Sequence, residues 1–360
     1  MKPNPFTPTF GAPPPLLVGR RDVLDAIQDS LDEGPGSPGF VTLFTGGRGV
    51  GKTVMLNAAE DVARDAGFHV ISETASEGLI DRLVSEHLVR LVPKRRRGVK
   101  SVDVAKMGGF ALDDRDTPAP QSLRSLIDEV TLKQPILITL DEIQGGVVSE
   151  LRELAVVLQH SIREGRRFAF FAAGLPAAVD NLLNDDVLTF LRRADRHDLG
   201  AFDIAAVKES IISVIAENGR TIASVDAAVA AEATGGYPFM IQLVGYHSWR
   251  ANRGRRAISS DDVAQGAADA RRRVGRLVIE PALKDLSPVD RKFLLRMAVD
   301  DGPSKMADIA QRLNADSNYT SQYRLRLIAA GLIVPASYGY VDFALPHLRE
   351  WLREHGTFDT

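Results

Sequence analysis

From Arg21 to Leu31 the apolar residues Val23, Leu24, Ile27 and Leu31 recur at helical spacing. The GPGSPG cluster at 34–39 breaks that helix, and the apolar run Phe40–Thr45 predicts a buried strand. Glycines then lead into a helical segment from Lys52 to about Ala66, which Gly67 ends. Phe68–Glu73 predicts a second strand and residues 77–92 a helix. Residues 94–119 have no clear period and are expected to form a variable insertion. Helix 121–132, strand Pro135–Leu140, helix 149–164 and strand Arg167–Ala173 follow. Strands alternating with helices predict an α/β fold, a parallel sheet covered on both faces. Past about residue 200 the strands are expected to stop. Residues 203–280 read as all-helical, and 285–355 as three helices with a short hairpin. Ahead of all this, Pro3, Pro5, Pro8, Pro13, Pro14 and Pro15 predict an extended tail that cannot fold by itself. The expected units are a Pro-rich tail (1–15), an α/β domain (16–200), a helical domain (201–282) and a C-terminal domain (283–360).

Composition narrows the chemistry. A chain of 360 residues with 44% hydrophobic and 25% charged residues has the balance of a packed globular protein, enough for two to three units. Its 44 Lys and Arg against 47 Asp and Glu leave a net charge of -3, which argues against binding nucleic acid with the whole surface but leaves a local basic face open. With no cysteine, disulfides, thiolate zinc sites and a catalytic thiol are excluded. No apolar run approaches the ~20 residues of a membrane span, so no membrane association is expected. The start, MKPNPFTPTFGAPPP, lacks the basic and apolar regions of a secretory signal, and a cytoplasmic location is the expectation.

The segment Gly46-Gly47-Arg48-Gly49-Val50-Gly51-Lys52-Thr53 fits G-x-x-x-x-G-K-[ST], placed between an apolar strand and an amphipathic helix opened by Lys52, Thr53 and Val54. Glycines let successive backbone N–H groups point inward, forming an anion nest at a helix N-terminus. Lys52 would bring a positive charge to the β/γ phosphates, and the Thr53 hydroxyl would ligate Mg²⁺. The run PILITLDE ends a second strand in two carboxylates: Asp141 would hold Mg²⁺, and Glu142 would polarise a water for attack on the γ-phosphate.

Together with Val18-Gly19-Arg20 upstream, these motifs resemble the AAA+ ATPases, in particular the initiator-like and signal-transduction (STAND) branches. The resemblance implies a P-loop NTPase parallel sheet followed by a helical lid, binding ATP or ADP with Mg²⁺. It implies that Val18 and Gly19 lie against the adenine with Arg20 beside them. It also implies that Pro238, in Gly236-Tyr237-Pro238, reaches the nucleotide from the lid. In RRADRHDL, Arg193 best matches the arginine that reports on the γ-phosphate, with Arg192 and Arg196 as rivals. The chain departs from the family at Ala172, Ala173 and Gly174, where the sensor strand usually offers a polar side chain. Slow turnover follows from that departure.

Helix 305–313, a turn at NADSN and helix 319–330 form a helix-turn-helix pattern, and Val334–Phe343 a hairpin with Gly339 at its turn. This resembles a winged-helix domain. Leu325, Ile328, Leu332 and Ile333 are expected in its core, and Asn318, Tyr319, Ser321, Gln322 and Arg326 on its exposed face. Between 284 and 354 ten Lys and Arg oppose nine Asp and Glu, a weak electrostatic basis for double-stranded DNA. Three readings stay open: an ATPase switch, an initiator-like or regulatory DNA-binding protein posed by nucleotide, and a scaffold holding nucleotide for structure. Self-association or an unknown protein partner fits each of them.

Overall fold

The computed structural model describes residues 3–9, 20–92, 122–184, 189–284 and 286–356. The first helix, α1 (Arg21–Glu33), ends at Gly34, and a 3₁₀ turn at Pro38–Phe40 leads into β1 (Val41–Thr45). The predicted strand therefore starts one residue late, because Pro38 at the start of that turn holds Phe40 in it. The phosphate loop follows, then α2 (Lys52–Asp65) and β2 (His69–Thr74). The next helix is α3 (Leu79–Arg82), a π-helical stretch at Leu83–Leu88, and α4 (Val89–Leu91). The expected insertion at 94–119 lies outside the described residues. Next come α5 (Leu123–Thr131), β3 (Ile136–Asp141), α6 (Val148–Arg163), β4 (Phe168–Gly174), α7 (Pro176–Leu183) and β5 (Asp195–Asp198).

The five strands form one parallel sheet in the order β2-β3-β4-β1-β5. Its three inner strands are buried on both faces, so they read as unbroken apolar runs, whereas edge strand β5 is Asp-Arg-His-Asp and carries no apolar signal. Helices cover both faces. Leu123, Leu126, Ile127 and Val130 of α5, spaced as one helical face, pack with Leu43 and Ile138 on one side. Phe44, Leu137 and Phe171 point to the other side, against α1 and α2.

The helical region comprises α8 (Ile204–Glu217), α9 (Ser224–Thr234), α10 (Pro238–Ala251) and α11 (Ser260–Val274). It is not wholly helical. Two short parallel strands, β6 (Thr221–Ile222) and β7 (Ala257–Ile258), clip the start of α9 to the start of α11. Within the tail, the described residues are docked. Phe6 is 2% exposed, Asn4 Nδ2 donates to the Tyr246 carbonyl oxygen at 3.1 Å, and the Thr7 N–H donates to Gln242 Oε1 at 3.0 Å, so residues 4–7 lie on α10.

A π-helical turn at Gly275–Ile279 continues into α12 (Glu280–Lys284). The last unit holds α13 (Pro288–Ala298), β8 (Ser304–Lys305), α14 (Met306–Leu313), α15 (Ser317–Ala329), β9 (Ile333–Ser337), β10 (Tyr340–Phe343) and α16 (Leu348–His355). Its strands form an antiparallel sheet, β8-β10-β9. Leu332 and Ile333 are core and Ile328 packs against it, but Leu325 is 61% exposed and Leu327 takes the buried place. The buried face of α15 runs through Thr320, Tyr323 and Leu327, and Leu325 sits two residues off that line, on the opposite side.

Candidate functional site

The phosphate loop joins the C-terminal end of β1 to α2, so the first amides of α2 open toward the end of the sheet where Asp141 closes β3. Two glycines are required by close approach. A β-carbon at Gly46 would lie 2.4 Å from the Leu199 carbonyl oxygen, and one at Gly49 would lie 1.7 Å from the Tyr237 hydroxyl. Gly49 and Gly51 also take φ of +72° and +90°. Gly47, Arg48 and Gly49 stay accessible along the loop, Val50 is buried beneath it, and Val54 is half-buried in the first turn of α2.

Lys52 is buried, and its Nζ donates to the carbonyl oxygens of Gly46 at 3.0 Å and Gly47 at 2.8 Å. Burial lowers its pKa below the usual lysine value, while Glu142 and Asp141 act in the opposite direction. The ammonium is thus poised under the loop and underpaid in counter-charge, a setting that an anion improves. Thr53 Oγ1 donates to Asp141 Oδ2 at 2.6 Å, so the hydroxyl and carboxylate expected to share a cation converge across 88 residues of sequence. Both are hard oxygen donors, and one carboxylate plus one hydroxyl suits Mg²⁺, which keeps several waters and completes its shell with substrate phosphates. Among the described residues no group of three or more His, Asp or Glu side chains is placed to hold a metal ion by itself.

Glu142 follows Asp141 with φ +53°, an uncommon left-handed conformation for glutamate. Its N–H donates to Asp141 Oδ1 at 2.8 Å, which turns the exposed side chain out of the strand line. Gln144 Nε2 donates to Glu142 Oε2, and Gln144 Oε1 accepts from the Leu175 N–H at 3.2 Å. Gln144 therefore ties Glu142 to the loop after β4. On that strand Ala172 and Ala173 are fully buried, and a β-carbon at Gly174 would lie 2.3 Å from Ile143. Packing leaves no room for a side chain at 174.

Arg20 is buried and reaches the loop from behind. Its Nη2 donates to the Val50 carbonyl oxygen at 3.0 Å and the Gly200 carbonyl oxygen at 3.2 Å, and its guanidinium lies over the Phe202 ring at 4.7 Å. Burial pushes its pKa down to about 10. Val18 and Gly19, expected beside it, lie outside the described residues. Pro238 opens α10, and the residue before it reaches the phosphate loop: the Tyr237 hydroxyl donates to the Arg48 carbonyl oxygen at 2.9 Å. The Gly-Tyr-Pro motif held the signal for Tyr237, since proline at N1 fixes the preceding residue outside the helix.

Arg193 ends a 3₁₀ turn, exposed and with no partner among the described residues. Its rivals are engaged: Arg192 Nε donates to the Leu183 carbonyl oxygen at 2.8 Å, and Arg196 bridges Asp180 at 2.7 Å and Asp198 at 3.0 Å. A polar cleft of about 510 Å³ opens beside Thr53 and Asp141, walled by Glu73 and Arg82, which pair at 3.0 Å. The C-terminal unit approaches the site as well. A β-carbon at Gly47 would lie 3.8 Å from the Ala344 carbonyl oxygen, and one at Gly331 would lie 3.1 Å from Leu175. On that unit Asn318, Tyr319, Ser321, Gln322 and Arg326 are exposed as expected, but Arg326 Nη2 is committed to the buried Asp290 carboxylate at 2.8 Å.

Residues 276–352 match a family described as a domain of unknown function (DUF8462). No curated protein matches the chain. Among solved structures, a Walker-type ATPase of Pyrococcus abyssi is similar at 17% identity and a TM-score of 0.66, over 94% of this chain and 96% of that one. The ORC2 protein of Aeropyrum pernix, solved as ADPNP–ADP complexes, is similar at 16% identity and a TM-score of 0.63, over 96% of both chains. Cdc6p from Pyrobaculum aerophilum is similar at 16% identity and a TM-score of 0.52, also over 96% of both. At these identities the likeness shows a fold: the α/β P-loop NTPase sheet with helices on both faces.

Proposed function

We propose that this chain binds ATP with Mg²⁺ and hydrolyses it slowly, acting as a nucleotide-dependent switch of the AAA+ type, closest to its STAND and initiator-like branches. The observation that carries this reading is the 2.6 Å contact between Thr53 Oγ1 and Asp141 Oδ2 above the buried Lys52. Bound there, Mg²⁺ would neutralise charge between the β and γ phosphates. The amides of residues 47–53 orient the phosphate chain, and Lys52 exchanges its two carbonyl partners for phosphate oxygens. Glu142 orients and deprotonates the attacking water from its turned-out position after β3. No side chain at 172–174 helps to hold that water, so turnover is slow. Arg193, with no other partner among the described residues, would answer to the γ-phosphate.

The switch rests on two bridges to the loop. Tyr237 ties the lid helix α10 to Arg48, and Ala344 brings the C-terminal unit against Gly47. A nucleotide that repositions the loop has differential contacts with both, the requirement for shifting a two-state equilibrium. We read the C-terminal unit as a winged helix, with α14 and α15 as the helix pair and β9–β10 as the wing. Its exposed Asn318 and Gln322 support a second reading, in which nucleotide poses this unit on duplex DNA.

The test is equilibrium binding of a fluorescent ATP analogue with and without Mg²⁺, combined with phosphate release, for wild type and Lys52→Ala. Wild type should bind in a Mg²⁺-dependent manner and release phosphate, and Lys52→Ala should lose binding. Binding of equal affinity in the variant would remove the site assignment, and tight binding without phosphate release would favour a nucleotide-holding scaffold.

A further inference from the structure

The lid carries a charge distribution that neither nucleotide binding nor the C-terminal unit uses. Residues 246–276 hold eight arginines, no lysine and three carboxylates (Asp261, Asp262 and Asp269), in a chain whose net charge is -3. Of the three, Asp262 is buried in the capping box with Ser259 at the start of α11.

The helices α10 and α11 lie antiparallel. Their register is set by Gly266, where a β-carbon would lie 2.2 Å from Ser248 Oγ, and by His247 Nδ1, 3.9 Å from Asp269 Oδ2. Arg250 stands three residues beyond His247, and Arg272 and Arg273 stand three and four beyond Asp269, so each shares a helix face with its neighbour in that pair. Because the helices run in opposite directions, Arg250 on one side, and on the other Arg273 with Arg272, whose Nη2 donates to Asp269 Oδ1, flank the His247–Asp269 contact across the shared groove. Arg253, Arg255 and Arg256 extend the line past Arg250, all exposed, and their side chains make no hydrogen bond or ion pair among the described residues. End to end the line is roughly 20 Å, the length of α11.

The loop that bears the last three is fixed. Buried Arg220 donates from Nη1 to the Trp249 carbonyl oxygen at 2.6 Å and from Nη2 to the Asn252 carbonyl oxygen at 3.0 Å, while the Thr221 N–H donates to the Arg256 carbonyl oxygen at 3.0 Å. The arginines are therefore displayed by rigid elements, which limits the ordering cost of binding. The local field registers at His247. Burial lowers its pKa, and Arg273, Arg250 and Arg272 push it the same way against Asp269.

Arginine alone, without lysine, suits phosphate, because the guanidinium fork donates two parallel bonds to phosphate oxygens. Among the described residues, the aromatic side chains of α10 beside the line are Tyr246, under the Arg250 guanidinium at 5.3 Å, half-buried His247 and buried Trp249, and they offer no open platform for stacking single-stranded bases. We propose that the exposed groove of α10 and α11 is a sequence-independent binding surface for the phosphate backbone of duplex DNA. It places the non-specific phosphate contact on the lid, whatever bases the near-neutral C-terminal unit reads, and it stands apart from the reading of the nucleotide site.

The experiment is a fluorescence-anisotropy titration of the full chain with a 30-base-pair duplex of arbitrary sequence at 50 and 200 mM salt. Four phosphates neutralised at a slope near −0.9 each predict roughly a 100-fold loss of affinity across that interval. Replacing Arg253, Arg256, Arg272 and Arg273 together by Gln should weaken binding at least about tenfold at 50 mM and flatten the salt dependence, with each pair alone giving about half the change in slope. Replacing Lys292 and Lys305 of the C-terminal unit by Gln should leave both unchanged. All variants are to show the wild-type unfolding midpoint. Absent duplex binding at 50 mM salt, binding untouched by the four substitutions, or equally effective competition by polyglutamate or anionic lipid vesicles would each overturn the proposal.

Discussion

The Tyr237 hydroxyl donates a 2.9 Å hydrogen bond to the carbonyl oxygen of Arg48, and through it helix α10 holds the crest of the phosphate loop. The ring is 1% exposed, and burial raises the phenol pKa far above its ordinary value, so the group stays a donor at any working pH. Tyr237→Phe keeps the ring and removes the bond, leaving the Arg48 carbonyl with one partner fewer at a cost of about 1 kcal/mol. The expected result is several-fold faster release of bound nucleotide with little change in the unfolding midpoint, measured by stopped-flow displacement of a fluorescent ADP. An unchanged release rate would show that the bond does not couple lid and loop.

The role proposed for Glu142 separates binding from chemistry. Glu142→Gln retains the shape and the contact with Gln144 but loses the charge that takes up the proton of water. The analogue should bind with wild-type affinity while turnover falls roughly 10²-fold or more. Equal phosphate release by the two proteins would take Glu142 out of the mechanism.

The sheet and the phosphate loop were legible because both announce themselves locally: apolar strands buried on both faces, and glycines where a β-carbon would strike Leu199 or Tyr237. Strand β5 was not, since an edge strand of Asp-Arg-His-Asp gains its place from pairing with β1 and not from composition. Leu325 was misplaced for a related reason. An aliphatic residue in a short amphipathic helix is ambiguous by two positions, and only packing against α13 and α14 chose the Thr320–Tyr323–Leu327 face. Tyr237 and Gln144 act through contacts nearly 190 and 31 residues apart in sequence, which no local pattern encodes.

Proton linkage at Lys52 gives a test with a defined sign. Its pKa is lowered by burial, and phosphate oxygens at Nζ would raise it. Binding therefore takes up a proton between the two values, and affinity falls as pH rises through that window, which begins below the ordinary lysine pKa near 10.4. Calorimetric titrations at alkaline pH in two buffers of different ionisation enthalpy should show net proton uptake. Net release would contradict the buried, underpaid ammonium.

Arg326 lies on the exposed face of the C-terminal unit as expected, yet its guanidinium is tied to Asp290, which with Ser287 caps the start of α13. Arg326→Gln should therefore act on stability, by about 1 kcal/mol or less because the arginine is more than half exposed. Duplex affinity of the full chain should not move. A variant with wild-type stability and weakened duplex binding would place Arg326 on the DNA.

The strap at the N-terminus offers the sharpest packing test. Phe6 fills a site opened by Gly245 on α10, where a β-carbon would lie 2.3 Å from the Phe6 ring. A buried phenylalanine truncated to alanine usually costs about 3–5 kcal/mol. Here the loss is capped, because residues 4–7 can detach without unfolding the helices beneath, and no substitution can cost more than the strap's own docking, about 2–3 kcal/mol for one buried aromatic. Both Phe6→Ala and Gly245→Ala should free the segment, the second without touching Phe6 itself. Limited proteolysis read by mass spectrometry should then show early cleavage within the first nine residues in both variants and late cleavage in wild type. Protection of the segment in Gly245→Ala would mean that the hydrogen bonds to Tyr246 and Gln242, not the ring in its notch, hold the strap in place.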